Sequence, residues 1–432
     1  MAALDTEAKN RALEAVRGGL AARREDILGA NRADKDEAAR AVERGEMTAA
    51  SAKRLDLAGG KFDGLLDGLR DVVRLPDPVG RIERATRLDD GLDLYKVSCP
   101  IGVLGVIFES RPEAAVQIAS LAIKAGNAVI LKGGREAARS NEALVEVIRD
   151  ALEADGQKTG GKDGTDSTVP PNAVQLIATR EEVHALLGLD TWIDLIIPRG
   201  SNELVRSIRA ATRIPVMGHA DGVCHVYVDA SADLAKAVKI VLDAKTQYPA
   251  VCNAAECLLV HREVARSVLP AVGEALRKAG VELRADDRAR ALLPGSRPAQ
   301  ESDWGAEYLD LILAVRVVDS LDEAIDFINE HGSHHTDAIV AEDPAAARRF
   351  LARVDSAGVF HNASTRFADG FRYGLGAEVG ISTQKLHARG PVGLEGLVIY
   401  KYILKGQGQA VGDYGPGKKR FKHEPLGPPQ SL

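Results

Sequence analysis

The 432-residue sequence predicts an α/β protein with two parallel-sheet domains and a small β element beside them. Three observations carry this. Between residues 102 and 211, strand-like and helix-like runs alternate four times, the pattern of a parallel sheet covered by helices on both faces. A second alternating unit begins near 223. Upstream of both, Asp90-Gly91 separates two alternating segments within 81–99, which is a hairpin signal.

Taken in order, residues 1–75 are rich in Ala, Leu, Arg and Asp at helical spacing and predict two or three surface helices. The first alternating unit reads as strand 102–108, helix 113–125, strand 128–132 and helix 141–152. Strand 173–178, a short helix, strand 193–198 and helix 201–211 complete it, with Leu204, Val205 and Ile208 on one helix face. The polar, Gly-rich stretch 155–171 interrupts the pattern and reads as a mobile surface insertion. The second unit opens with strand 224–228 and helix 233–245, whose Leu234, Val238, Val241 and Leu242 form one stripe. Strand 256–261 and helix 262–279 follow. Further strands are expected near 311–318, 338–341 and 357–361, with helices near 320–330 and 343–353. After 406 the chain reads as a solvated tail with a short basic run, Lys418 to Lys422.

Composition narrows the function classes. Hydrophobic residues make up 45 % and charged residues 27 %, ordinary for a globular protein with a sizeable core. A net charge of −6 implies no general affinity for nucleic acid or anionic membrane. No apolar run approaches the ~18 residues that span a bilayer. The first residues, Met-Ala-Ala-Leu-Asp-Thr-Glu, lack the pattern of a signal peptide, so a cytoplasmic location is expected. Cys99, Cys224, Cys252 and Cys257 are spaced for neither a disulfide framework nor a zinc site, and no metal is expected.

Cys252 is the candidate nucleophile. It lies in a short polar loop, 246–254, between an amphipathic helix and an apolar strand. A thiol placed where secondary structure stops can be exposed and activated. Cys224 and His225 sit in an apolar alternating run and read as buried strand residues. The histidines of 331–335 read as a polar turn rather than a metal cluster. Two loops leave strand ends with glycine and a charge: Lys132, Gly133, Gly134 and Arg135, then Arg199, Gly200 and Ser201. Ligands of parallel sheets bind at such ends, and a helix N-terminus favours phosphate. The stretch 360–391 is long, aperiodic and glycine-bearing, which is uncommon unless functional. Its convergent polar groups could hold a small charged substrate.

The chain resembles the gamma-glutamyl phosphate reductases, a branch of the aldehyde dehydrogenase-like superfamily. The resemblance rests on 102–112, 126–134, 194–200, 221–229, the Cys252 loop and, most specifically, 362–391. It implies an NADP-binding domain from 1–80 and 100–229, and a catalytic domain over 230–385. It also implies an oligomerisation element from 81–99 and 390–408, with 409–432 as a tail. Members of the family assemble as dimers or tetramers through that element. Cys252 falls on the family nucleophile, with Asn253 as a candidate oxyanion donor. Lys132 matches a lysine that contacts the cofactor ribose. Gly200 and Ser201 match the phosphate-contacting turn, and Glu307 matches a glutamate on the nicotinamide ribose. Arg135 and Arg139 are candidates for the 2′-phosphate of NADPH, with Glu136 among them. The water-activating glutamate of hydrolytic relatives aligns near His219, with no glutamate between 204 and 255. Two departures stand out: Cys257 replaces a usual Thr, and His334 a common Gly.

The implied reaction is NADPH-dependent reduction of L-glutamyl 5-phosphate to L-glutamate 5-semialdehyde through a Cys252 thioester. A hydrolytic aldehyde dehydrogenase and a non-catalytic scaffold are the alternatives. The chain carries no kinase domain, so a separate glutamate 5-kinase would supply the substrate. Ser364, Thr365 and Arg366 are the expected substrate residues, since a guanidinium grips a carboxylate or phosphate bidentately. Arg366 could instead pair with Asp369 and brace the loop. Arg111 and Arg199 compete for the anchoring role, but their loops are expected to face the cofactor.

Overall fold

A computed structural model gives the fold and describes residues 1–159, 168–218 and 221–427. The first alternating unit forms a four-stranded parallel sheet in the order Val174–Leu176, Ala128–Lys132, Val103–Phe108, Leu195–Arg199. Helix Glu113–Lys124 is buried along almost its whole circumference. It is covered in turn by the N-terminal helices Thr6–Ala22 and Gly60–Arg74. The other sheet face is closed by Arg180–Leu187 and Asn202–Ala211, where Ile107, Leu186, Ile196 and Ile208 pack together.

The N-terminal segment differs from its expected form. It makes four helices, Thr6–Ala22, Arg24–Glu43, Ala49–Arg54 and Gly60–Arg74, and they share the main core rather than riding on its surface. Leu13, Leu20 and Phe62 are fully buried in that core. Polar anchors fix the layer. Lys124 is buried and donates to Asn10 Oδ1 and to the Val73 carbonyl, and Lys9 pairs with Asp77. A buried ammonium without such partners would be strongly destabilising.

The second sheet has seven parallel strands in the order Arg297–Pro298, Glu282–Ala285, Ile312–Val318, Ala255–His261, Cys224–Val228, Thr336–Val340, Gly358–His361. Its central strands are buried at every position, which is why they read as continuous apolar runs. By sheet membership the division between units falls before Cys224, ahead of the expected boundary after 229. Helix Leu234–Thr246 turns its small residues inward: Ala237, Ile240, Val241 and Ala244 are buried, whereas Leu234 is exposed. Of the expected stripe, Val241 is buried and Val238 and Leu242 pack against the core, so Leu234 alone falls outside it, and Ala237, Ile240 and Ala244 widen the buried face.

The hairpin Ile82–Asp89 and Leu92–Pro100 turns through Gly91 at φ +67°, a left-handed conformation that suits glycine. Strand Val398–Lys405 pairs antiparallel with Leu92–Pro100. The basic run is not a free tail. Glu424–Leu426 adds a fourth strand on Ile82–Asp89, Tyr414 stacks on Phe421, and Lys422 pairs with Asp90. The stretch 155–171 begins as the end of helix Ala138–Thr159; its residues 160–167 lie outside the described residues. Among the described residues no helix is long and apolar enough to cross a membrane.

Candidate active site

Residues 247–254 join helix Leu234–Thr246 to strand Ala255–His261, and the half-buried Cys252 sits in this turn. Its backbone is gripped from both sides. A Cβ built on Gly222 would lie 2.4 Å from the Cys252 carbonyl oxygen and 2.5 Å from its Cα and Cβ, so only glycine allows that approach. The Cys224 thiol donates to the same carbonyl at 3.2 Å. From the opposite side, Thr365 Oγ1 donates to the Asn253 carbonyl and Asn253 Nδ2 donates to the Ala368 carbonyl, both at 2.7 Å. At the base of the turn, Lys245 and Glu256 form a buried ion pair across its two ends. Burial pushes the Glu256 carboxyl up and the Lys245 ammonium down.

The other thiols are set apart. Cys224 and Cys257 are fully buried, and burial raises both thiols well above their usual range. His225 is equally buried, bonded through Nδ1 to Asp337 Oδ1 at 2.9 Å. These are strand residues, as their apolar surroundings suggest. His334 holds φ +61° in the turn before Thr336–Val340, the region where glycine is at ease.

The expected substrate trio separates. Thr365 is wholly buried against the Cys252 loop, and Ser364 Oγ accepts from the Arg366 backbone N–H to cap the turn Thr365–Phe367. The Thr365 hydroxyl is committed to that loop. Arg366 keeps unused donors. Its Nε donates to Gln247 Oε1 at 2.9 Å, and its two terminal nitrogens bond to none of the described residues. Asp369 pairs with Arg372, at 3.9 Å, and not with Arg366.

Arg111 and Arg199 come together. They line a cleft of about 550 Å³ together with Asp369, Phe371, Glu378 and helix Gly60–Arg74. Strands Val103–Phe108 and Leu195–Arg199 are adjacent and in register, Phe108 opposite Arg199, so both arginines leave the sheet at one edge. Arg199 donates to the Glu378 carbonyl at 3.5 Å. Arg199, Arg366 and Glu378 all lie within electrostatic range of Cys252.

The cofactor candidates lie at the carboxyl edge of the first sheet. Lys132 is half-buried, and its ammonium forms no hydrogen bond or ion pair among the described residues; burial lowers its pKa. Gly133 and Gly134 admit Asn141 and Glu136, whose atoms would lie 2.0 Å from an added Cβ. Arg135 is exposed, whereas Arg139 turns away to Asp34. At the Gly200–Ser201 turn, Glu109 Oε2 accepts the Ser201 backbone N–H at 2.9 Å. Glu307 accepts from Asn202 Nδ2 at 3.1 Å, so the second sheet's loop does reach this turn. The set suits a dinucleotide at Lys132 and Glu307. At the turn itself, Glu109 holds one of the amides an anion would use. His219 lies outside the described residues.

Comparison with known proteins places the chain in a family. The sequence model of the aldehyde dehydrogenase family matches residues 3–292. A gamma-glutamyl phosphate reductase of Synechococcus sp. is 56 % identical over 423 residues, 98 % of this chain and 90 % of the relative. The chain belongs to the gamma-glutamyl phosphate reductases of the aldehyde dehydrogenase family. A gamma-glutamyl phosphate reductase of the archaeon Methanococcoides burtonii is 51 % identical over 99 % of this chain and 94 % of its own length. The crystal structure of the Thermotoga maritima gamma-glutamyl phosphate reductase superposes with a TM-score of 0.88 at 41 % identity, over 94 % of this chain and 95 % of that one. The aldehyde dehydrogenase family works with a nicotinamide cofactor. Among the gamma-glutamyl phosphate reductases, then, this chain is an oxidoreductase on the aldehyde dehydrogenase-like fold.

Proposed function

We propose that this chain reduces L-glutamyl 5-phosphate to L-glutamate 5-semialdehyde with release of phosphate, at the expense of NADPH, as the second step of proline biosynthesis. The observation that carries the reading is Cys252, a half-buried thiol braced from two sides in a chain 56 % identical to a named gamma-glutamyl phosphate reductase. In the first step the Cys252 thiolate attacks the acyl carbon, the C–O bond to phosphate breaks, and a thioester remains. Bound NADPH would supply the hydride that reduces the thioester carbon. The resulting thiohemiacetal collapses, restoring the thiolate and releasing the aldehyde. The Cys252 backbone N–H and the second N–H of Asn253 Nδ2 are the donors proposed for the oxyanion. Asn253 is held in place for this by Ala368.

Lys132, Gly200, Ser201 and Glu307 are the residues proposed to hold NADPH, with Arg135 near its 2′-phosphate. Residues 1–80 and 100–223 would form the cofactor domain, and the second sheet the catalytic domain. Strand Val398–Lys405, with Ile399, Tyr400, Tyr402 and Leu404 exposed, supports assembly into a dimer or tetramer through the third sheet. A separate glutamate 5-kinase would deliver the labile acyl phosphate, by transient contact. The four free thiols suit a cytoplasmic setting.

The test generates glutamyl phosphate in situ with a glutamate kinase and follows NADPH oxidation. Stoichiometric phosphate release and trapping of the cyclised product, pyrroline-5-carboxylate, are expected. Oxidation of aldehydes to free acids without any need for phosphate would point instead to a hydrolytic dehydrogenase. No NADPH consumption at all would leave the scaffold reading.

A further inference from the structure

The cleft beside Cys252 holds more charge than thiol chemistry requires. Arg111, Arg199 and Glu378 line it, and none of the three forms an ion pair among the described residues. The Arg111 guanidinium makes no hydrogen bond there either. Arg199 makes a single long one, and to the Glu378 backbone carbonyl rather than to its carboxylate. Glu378 spends one carboxylate oxygen on the Gly370 N–H at 2.9 Å. Next to Arg111, Glu113 keeps Oε2 buried without a hydrogen-bond partner. Opposite charges packed this closely normally neutralise one another, since unpaired burial is costly. Arg199 and Glu378 feel each other's charge, yet no direct ion pair joins either arginine to this carboxylate among the described residues.

We propose that this cleft is the subsite for the α-amino-acid head of the substrate. Arg199 and Arg111 grip its α-carboxylate, and Glu378 receives its α-ammonium. The inference rests on the glutamyl phosphate reading and deepens it by naming what distinguishes this substrate from a plain aldehyde.

Position supports the assignment. The cleft wall continues the brace of the nucleophile. Ala368 holds Asn253, the neighbour of Cys252, and the next residue, Asp369, already lines the cleft. Arg199 and Glu378 lie within electrostatic range of Cys252, in keeping with that continuity. The reacting carbon and the α-carboxylate carbon of an extended five-carbon chain are separated by four C–C bonds, roughly 5 Å. A substrate acylated on Cys252 therefore needs its head group held close by, and a volume of about 550 Å³ accommodates it. Two guanidiniums give planar, forked donors that match a carboxylate. The unpaired carboxylate adds selectivity for an amine beside it. Arg366, on the nucleophile side of the same segment, is left for the phosphate.

The test compares three aldehydes oxidised with NADP⁺ and phosphate: L-glutamate 5-semialdehyde, 5-oxopentanoate without the amine, and pentanal without either head group. For Arg199→Lys and Arg111→Gln, the kcat/KM ratio of glutamate semialdehyde to pentanal is expected to fall about 10²-fold. For Glu378→Gln, the ratio of glutamate semialdehyde to 5-oxopentanoate falls about tenfold or more, while that of 5-oxopentanoate to pentanal holds. Losses in equal proportion for all three aldehydes would overturn the subsite. Should Arg199→Lys fail to fold, Arg111→Gln still decides, because that guanidinium bonds to no described residue. A binding readout accompanies the kinetics. L-Glutamate should slow alkylation of Cys252 by iodoacetamide in the wild type and lose that protection in Arg111→Gln. Unchanged protection in the variant counts against the proposal. A wild type that oxidises pentanal but not glutamate semialdehyde would sink the glutamyl phosphate reading itself, and the subsite with it. An active wild type with proportional losses sinks only the subsite.

Discussion

Gly222 makes a sharp prediction, because its tolerance can be worked from distances. An alanine Cβ there would sit 2.4 Å from the Cys252 carbonyl oxygen, where ordinary contact begins at 3.4 Å. The shortfall is about 1 Å, and every atom it meets is backbone or the nucleophile's own Cβ, so no flexible side chain can yield. The Cys224 thiol and the Asn253 bonds pin the same loop from other directions. Gly222→Ala must therefore displace Cys252. A misplacement of this size at a reacting group lowers turnover by about 10²-fold, near 2.7 kcal/mol of barrier. The mutant should remain folded, since the push falls on a surface turn and not on the sheet. The assay is kcat with in situ glutamyl phosphate, alongside iodoacetamide alkylation of Cys252 and a thermal melt. A folded mutant with kcat within twofold of wild type would refute the reasoning.

Further expectations follow from the same contacts. Cys252→Ser should cut turnover by several orders of magnitude, since a hydroxyl without a base is a weak nucleophile; near-normal turnover removes this residue from the mechanism. Arg366→Lys keeps the charge but loses the fork and the bond to Gln247, so KM for glutamyl phosphate should rise about tenfold, equivalent to ~1.4 kcal/mol. An unchanged KM with a lowered melting temperature would assign Arg366 to bracing the loop. Lys245→Met strands a buried Glu256 and should cost about 3–5 kcal/mol in urea unfolding; a loss below about 1 kcal/mol would show that the pair is weakly coupled to folding. Steady-state kinetics with both nucleotides checks cofactor choice: NADPH is expected to give the higher kcat/KM, and a higher value with NADH would remove Arg135 from phosphate recognition.

The two parallel sheets were legible because strands buried on both faces spell continuous apolar runs. The hairpin within 81–99 was legible from its alternation and its Asp90-Gly91 turn; strands with neither signature were not. Glu282–Ala285 and Glu424–Leu426 are short and charged, and they lie at or near sheet edges. On helix Leu234–Thr246, Val238, Val241 and Leu242 meet the core as expected, and only Leu234 was misjudged. At the site, the Cys252 loop stood out as a thiol between periodic elements. The role of Thr365 could not be read, since its hydroxyl is claimed by a carbonyl 112 residues away in the chain. Arg111 and Arg199, weighed against Arg366 as anchors, sit at or just past the ends of adjacent strands, where ligands of such sheets gather. His334, noted only as an odd residue, turns out to occupy a left-handed turn position.

The brace on the nucleophile also has a bearing on biosynthesis. Thr365 and Ala368 are synthesised more than a hundred residues after Asn253, which they hold. At ribosomal speeds of roughly 5–20 residues per second, the loop waits on the order of ten seconds for its clamp. A nascent or prematurely terminated chain thus presents the thiol in a loop held by the earlier contacts from Gly222 and Cys224 but not by its later clamp. Full ordering of the loop is expected only once the closing segment has left the ribosome.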